Sequence, residues 1–266
     1  MIKQNLNSSK LTFPRDEKLH FEESTHTYTV DGLGIFTSVS NIISQFFKPF
    51  DAEGISLRKC HDNPIAAAAL REEWAAKGQI SSVCGTHMHA QIENFLNIGA
   101  QPKLDCHVEY HGDYVQLDKH ISIATEWEYF QRFCHENQFT PFRTEWGVYD
   151  DDTRMAGTID LLCECPDGTY EIFDWKRSNR IDPQEVNRWN SGINGLEFLS
   201  DTVYHHYCLQ QNLYRYILER NYGIAISRMN LVVLHPDYPS YRRVLLPRMD
   251  KEIDIIVARL LSTLNS

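Results

Sequence analysis

Short stretches with a two-residue hydrophobic period alternate with longer stretches of helical period, and that alternation sets the expected order of elements. Leu19-His-Phe-Glu22 and His26-Thr-Tyr-Thr-Val30 read as short strands closed by the turn dipeptide Asp31-Gly32. Ser38 stands where an N-cap is expected, ahead of Val39, Ile42, Ile43, Phe46 and Phe47 at helical spacing, and Pro49 ends the run. Residues 52–79 predict a helix that Gly78 brings to its end, and residues 83–96 predict a second, with Met88, Ile92, Phe95 and Leu96 on one face. His89 and Glu93, four apart, share a neighbouring stripe of that helix. Residues 99–125 carry no clear period, whereas Trp127, Phe130, Phe133 and Cys134 mark a helix that stops at Asn137.

The centre of the chain changes character. Residues 145–149, 155–165 and 170–176 read as strands separated by Asp150-Asp-Asp-Thr153 and Pro166-Asp-Gly168, turn chemistry that predicts an antiparallel meander. Val203, Tyr207, Gln210, Tyr214, Ile217 and Leu218 then repeat at helical spacing, Leu231-Val-Val-Leu234 reads as a buried strand, and residues 253–264 close with an amphipathic helix. The order predicts one α/β domain over residues 1–266, with 1–35 as an N-terminal extension and a central mixed β-sheet flanked by helices from 36 onward.

Composition narrows what such a domain can do. With 266 residues, 42% hydrophobic and 23% charged, the chain should bury about 70–75% of its unfolded surface, which excludes disordered and collagen-like classes. Its 26 basic and 36 acidic residues leave a net charge of −10, which argues against a partner that wraps duplex DNA by bulk charge. A local phosphate site around a metal stays open, because such a site itself needs clustered carboxylates. The seven cysteines are scattered and lack C-x-x-C spacing, so reduced, mostly buried thiols are expected. The first ten residues contain no apolar leader segment and no stretch reaches 18 apolar residues, so a cytoplasmic chain without a membrane partner is expected.

The candidate chemistry sits on the meander. Asp174 and Lys176, two apart on one strand, project from the same face about 6.6–6.8 Å apart. Their neighbours Ile172, Phe173 and Trp175 are apolar, a setting in which an unpaired charge costs several kcal/mol. Asp160, on the preceding strand with similar neighbours, comes close to Asp174 if the hairpin closes at Pro166-Asp-Gly168. Two carboxylates brought together repel unless a proton or a metal separates them, and hard oxygen ligands suit Mg²⁺ or Mn²⁺. The bland alternative for Asp174 and Lys176 alone is a structural ion pair.

Gly157-Thr-Ile-Asp160 followed by Glu171-Ile-Phe-Asp174-Trp-Lys176-Arg-Ser178 resembles the bipartite signature of the PD-(D/E)xK nuclease superfamily, in its RecB-like exonuclease branch. Gly85-Thr-His-Met-His89-Ala-Gln-Ile-Glu93 is similar to the upstream G-x-x-x-H-x-x-x-E helix of that branch, and Gln210-Gln-Asn-Leu-Tyr214 to its downstream Q-x-x-x-Y helix. Ser38-Val-Ser-Asn-Ile-Ile43 resembles the opening of the mitochondrial genome maintenance exonuclease group and its phage relatives. Four short motifs in order, between about residues 36 and 218, carry the resemblance jointly.

The resemblance implies a restriction-endonuclease-like core and a divalent-metal-dependent DNA nuclease, acting as an exonuclease on single strands, flaps or ends and leaving a 5′-phosphate and a 3′-hydroxyl. An endonuclease with the same site, or a catalytically silent protein that binds DNA ends, is the alternative. It implies Mg²⁺ or Mn²⁺ held by His89, Asp160, Asp174 and the carbonyl of Trp175, with Lys176 orienting the attacking water. Glu145 would join the metal cluster through water or orient Lys176, and Glu93 would fix the His89 tautomer. Gln210 and Tyr214 would contact the nucleic-acid backbone or support the site, and Arg177, Ser178 and Arg180 would hold neighbouring phosphates. Trp127, Trp146 and Trp175 read as core aromatics, whereas Trp189, between polar neighbours, is the candidate for base stacking. No cysteine follows Cys208, so no iron–sulfur cluster is expected. His87-x-His89 also resembles half of a zinc hydrolase site, but the other half is missing. DNA is the implied partner, with a helicase or other replication and recombination proteins beside it, and a phage or mobile-element origin follows by analogy.

Overall fold

Alternation along three strands divides the apolar residues between two cores on opposite faces of one sheet. In the computed structural model, which describes residues 13–264, Leu162, Ile172, Leu231 and Val233 pack on one face. Leu161, Cys163, Phe173, Trp175 and Val232 pack on the other. The strands that carry them are β7 (Met155–Glu164), β8 (Tyr170–Lys176) and β9 (Ile226–Val233). The first face is covered by α1 (Val39–Ser44), α5 (Val203–Ile217) and α6 (Asp250–Leu264), the second by α3 (Pro64–Ile98) and α4 (Ala124–Glu136).

The sheet has eight strands. Its path runs β1 (Leu19–Glu22), β2 (Thr27–Val30), β3 (Gly34–Ser38), β7, β8, β9 and β10 (Arg242–Leu245), and β6 (Thr140–Asp150) pairs with β7 off that path. Pairing of β6, β7 and β8 is antiparallel, as the turn chemistry predicts, whereas α5 carries the chain across so that β9 runs parallel to β8. The result is a mixed α/β architecture with a central sheet flanked by helices, which agrees with the expected class.

Local chemistry explains the helix boundaries and corrects several expected ones. The Ser38 hydroxyl accepts from the Asn41 amide and starts α1, but that helix ends at Ser44 rather than running toward Pro49. Residues 52–96, expected as two helices divided near Gly78, form α2 (Ala52–Lys59) and an uninterrupted α3 of 35 residues. Asn63 caps α3, Pro64 occupies its first turn, and Gly99 ends it at φ +68°. Gly78 lies inside, at a position where a glycine costs only about 1 kcal/mol. Residues 99–125, which carry no clear period, hold an antiparallel hairpin of β4 (Asp105–His111) and β5 (Gln116–Ser122). Its turn is held by Glu72 of α3, whose carboxylate accepts from the amides of Asp113, Tyr114 and Val115. No helix among the described residues is long and apolar enough to cross a membrane. The first ten residues, read above for a leader, lie outside the described residues.

Candidate metal centre and active site

The site forms where the sheet forks. One edge of β7 is paired along its length with β6, while the other is shared: β3 takes Met155 and Ala156, and β8 takes residues 161–164. Residues 157–160 have no ladder partner on that second edge, because the β7–β8 ladder stops at Leu161↔Phe173 while β8 continues beside β9 to Lys176. One further step of the register sets Asp160 opposite Asp174. The amide of Trp175, released from the ladder, donates to Asp160 Oδ2 at 2.9 Å.

Across the other edge, Thr144↔Leu161 and Trp146↔Ile159 bracket Glu145 and Asp160, which face each other without closing a ladder step. Alternation changes phase at this pair. Met155 and Ile159 pack with the α1/α5/α6 core, while Leu161 and Cys163, also odd-numbered, pack with the α3/α4 core. On β6, Trp146 belongs to the first core, whereas the Thr144 hydroxyl donates to Asn97 of α3 at 3.1 Å. Glu145 sits at φ +42°, a conformation that costs a residue with a Cβ about 1–3 kcal/mol and concentrates at functional sites. Three carboxylates therefore stand in a row across β6, β7 and β8.

His89 reaches them from α3. Its Nδ1 lies 3.4 Å from Asp160 Oδ2 and 3.8 Å from Glu145 Oε1, while Nε2 donates to the Trp175 carbonyl at 2.7 Å. Donor atoms of His89, Glu145 and Asp160 all lie within 4.8 Å of one another. Asp174 is held separately: Lys176 Nζ is 2.6 Å from Oδ2 and the Gln211 amide donates to Oδ1 at 2.8 Å. Lys176 also sits over the ring of Tyr207, 4.8 Å from its centroid.

The electrostatics follow from crowding acids away from water. Burial raises the Asp160 carboxyl against the pull of His89, and burial raises Asp174 to about 6 against the pull of Lys176. Burial alone would lower His89 and Lys176, but the charges of Asp160 and Glu145 lift His89 to about 9, and those of Asp174 and Asp160 hold Lys176 above the usual lysine range. Negative charge is in excess at the fork. The donor set of one imidazole and clustered carboxylates fits a divalent cation, with His89 Nδ1, Glu145 and Asp160 as the convergent ligands and Asp174 beside them.

Several expected roles change. Glu145, expected to reach a metal through water, stands in the convergent triad itself, and Asp174 and Tyr207, rather than Glu145, orient Lys176. The Trp175 carbonyl, expected as a ligand, accepts from His89 Nε2 and so fixes the ring in the role expected of Glu93. Both His89 nitrogens are thereby engaged without Glu93, whose carboxyl is raised by burial. Arg177 is tied to the buried Glu126, to which its Nε donates at 2.7 Å. Tyr214 is 5% exposed and supports the site from below, its ring so near Gly157 that a Cβ there would stand 2.6 Å from it. Gln210 bridges Ser40 and the Tyr214 hydroxyl, each at 3.4 Å, while its neighbour Gln211 touches Asp174. Ser178 and Arg180 follow β8 at the mouth of a cleft that Phe50, Trp74, Lys77 and Tyr207 also line. Trp189 is 93% exposed, in contrast to the buried Trp127, Trp146 and Trp175. Gln211, Tyr207 and Glu126 carried no signal beyond their neighbourhood to Gln210 and to the helical stripes.

No family model and no curated protein matches this sequence. Among solved structures, one described as "Crystal structure of SSO0001" aligns at a TM-score of 0.31 and 12% identity, over 86% of this chain and 75% of that one. That likeness is too loose to assign a fold family or an activity.

Proposed function

We propose that this chain is a divalent-metal-dependent deoxyribonuclease with a restriction-endonuclease-like core, an exonuclease acting on single-stranded DNA, flaps or ends. The observation that carries the reading is the strand fork, where Glu145, Asp160 and Asp174 converge from three strands and meet His89 and Lys176. The reading is supported by the grouping of His89, Asp160, Asp174 and Lys176 at one place in the fold. Mg²⁺ or Mn²⁺ held by His89, Glu145 and Asp160 would polarise a phosphoryl oxygen and acidify a bound water.

The chain's own groups do the rest. Lys176 stays an ammonium at neutral pH, so it offsets the charge that builds on the phosphoryl oxygens and orients the attacking water. Asp174, anchored by Gln211, fixes that ammonium, and the Trp175 carbonyl fixes the His89 ring. Ser178, Arg180 and Lys77, with the rings of Phe50, Trp74 and Tyr207, give the adjoining cleft both cationic and stacking groups, a combination that suits a single strand better than a duplex. Trp189 offers a further stacking surface. A helicase or another replication or recombination protein that exposes ends is the class of partner such an enzyme needs.

The test is incubation of end-labelled linear and circular single-stranded DNA with Mg²⁺, Mn²⁺ or EDTA. Metal-dependent degradation of the linear form alone is the expected result. Cutting of the circle reassigns the site to an endonuclease, and intact DNA under every condition overturns the nuclease reading in favour of an end-binding protein.

A further inference from the structure

The β4–β5 hairpin carries a second group of metal-ligating side chains, distinct from those of the fork. Its inner face buries Cys106 and Val108 in the α3/α4 core. Its outer face is built by the register His107↔His120, Glu109↔Asp118 and His111↔Gln116. An outer hairpin face usually takes threonines or opposite charges, which gain from facing each other, and like charges directly opposite are unfavourable. Here two carboxylates, Glu109 and Asp118, face each other between rows of imidazoles. Packing gives no reason for that choice, since Glu109, Asp118 and His120 are exposed.

The imidazoles are already drawn to the acids. His107 lies between them, with Nε2 2.7 Å from Asp118 and Nδ1 3.3 Å from Glu109. His120 stacks on His107 with ring centroids 4.9 Å apart, and His111 Nε2 is 4.0 Å from Glu109. Donor atoms of His107, Glu109 and Asp118 lie within 4.8 Å of one another. Tetrahedral zinc, with bonds of about 2.0–2.2 Å, needs donors about 3.4 Å apart, so closure asks only for rotation of exposed side chains.

We propose that this hairpin is a Zn²⁺ site, with His107, Glu109 and Asp118 as ligands and His120 as the fourth donor. The fork triad has one imidazole beside its carboxylates, whereas His120 adds a second imidazole here, and two imidazoles shift the preference toward a borderline transition ion and away from Mg²⁺. The site does not rest on the nuclease reading. Bound zinc would brace a hairpin whose turn is otherwise tied to α3 through Glu72.

The fork itself contains a histidine and two acids, so the experiment must separate the two positions. Zn²⁺ is titrated into the full chain and into three variants, His107→Gln/Asp118→Asn, His120→Ala and His89→Gln/Asp160→Asn, by calorimetry, with circular dichroism to check folding. The wild type is expected to lose one equivalent of bound Zn²⁺ in the first hairpin variant, to bind it at least tenfold more weakly in the second, and to keep it in the fork variant. The substituted hairpin residues are exposed and outside the core, so both hairpin variants should fold. Equal stoichiometry and affinity in wild type and hairpin variants, or loss of all zinc in the fork variant, overturns the site.

Discussion

Two groups with the same residue types, His89/Glu145/Asp160 at the fork and His107/Glu109/Asp118 on the hairpin, differ in how the fold treats them. The hairpin group comes from two adjacent strands, lies open to water, and needs no unusual backbone. The fork group is drawn from α3, β6 and β7, is set beside Asp174 and Lys176, and requires Glu145 to leave the allowed strand region. Water screens the first set and lets its charges coexist. In the second, burial raises Asp174 to about 6, while the charges of Asp160 and Glu145 lift His89 to about 9 against the effect of burial, so its charges depend on one another. The same donors are an adaptable surface ladder in one place and a preorganised, strained centre in the other.

Substitutions should separate the two regions by size of effect. Lys176→Ala leaves Asp174 buried without its cation and should cost about 3 kcal/mol in chemical denaturation, whereas Lys176→Ala combined with Asp174→Leu should recover much of that loss. An equal loss in the double variant would mean that packing, not charge, holds this strand. Next in size is the effect of metal at the fork. The raised His89 contributes stability that is complete below about pH 6.5 and fades as pH rises through 9, and the raised Asp160 and Asp174 likewise favour their protonated forms, so stability falls as Asp174 ionises through about 6. All three shifts make the metal-free chain less stable toward alkaline pH. Mn²⁺ at about a hundred times its Kd adds about 2.7 kcal/mol, roughly 5–10 °C in Tm for a chain of this length. With the Mn²⁺ concentration held fixed, that rise should be larger at pH 8.5 than at pH 6, because less protonation of His89, Asp160 and Asp174 competes with the metal, and a rise that shrinks with pH would contradict these shifts.

Smaller effects test the strain. Glu145→Gly should stabilise the metal-free chain by about 1 kcal/mol, because glycine accepts φ +42°, while cleavage falls about a hundredfold. Unchanged stability would show that the backbone is not strained there. At the small end, Asp118→Asn on the hairpin should change metal-free stability by less than about 0.5 kcal/mol, as expected of an exposed residue.

The meander and its residues Asp160, Asp174 and Lys176 were legible because turn chemistry and two-residue alternation both mark β6 to β8. Glu145 was harder: its position depends on a positive φ, which a non-glycine residue does not announce, and on a phase change visible only from which core each neighbour joins. Gln211 was missed for a simpler reason. Residues 210 and 211 are about 100° apart on a helix, and spacing alone does not say which one faces β8. The β4–β5 hairpin was overlooked because its outer face carries His, Glu and Asp in place of the β-branched residues that mark a strand. The pairing of Arg177 with Glu126 is not legible in the sequence, because Glu126 comes from α4 and nothing in either segment announces it.

The central claim is that the fork performs phosphodiester hydrolysis, and the most direct measurement compares wild type with Asp174→Asn and Lys176→Ala on end-labelled single-stranded DNA in Mn²⁺, at a temperature where all three are folded. Removal of a preorganised charge at the reacting phosphate predicts a loss of about 10³-fold in rate for each variant. Cleavage by both variants at the wild-type rate would contradict the account.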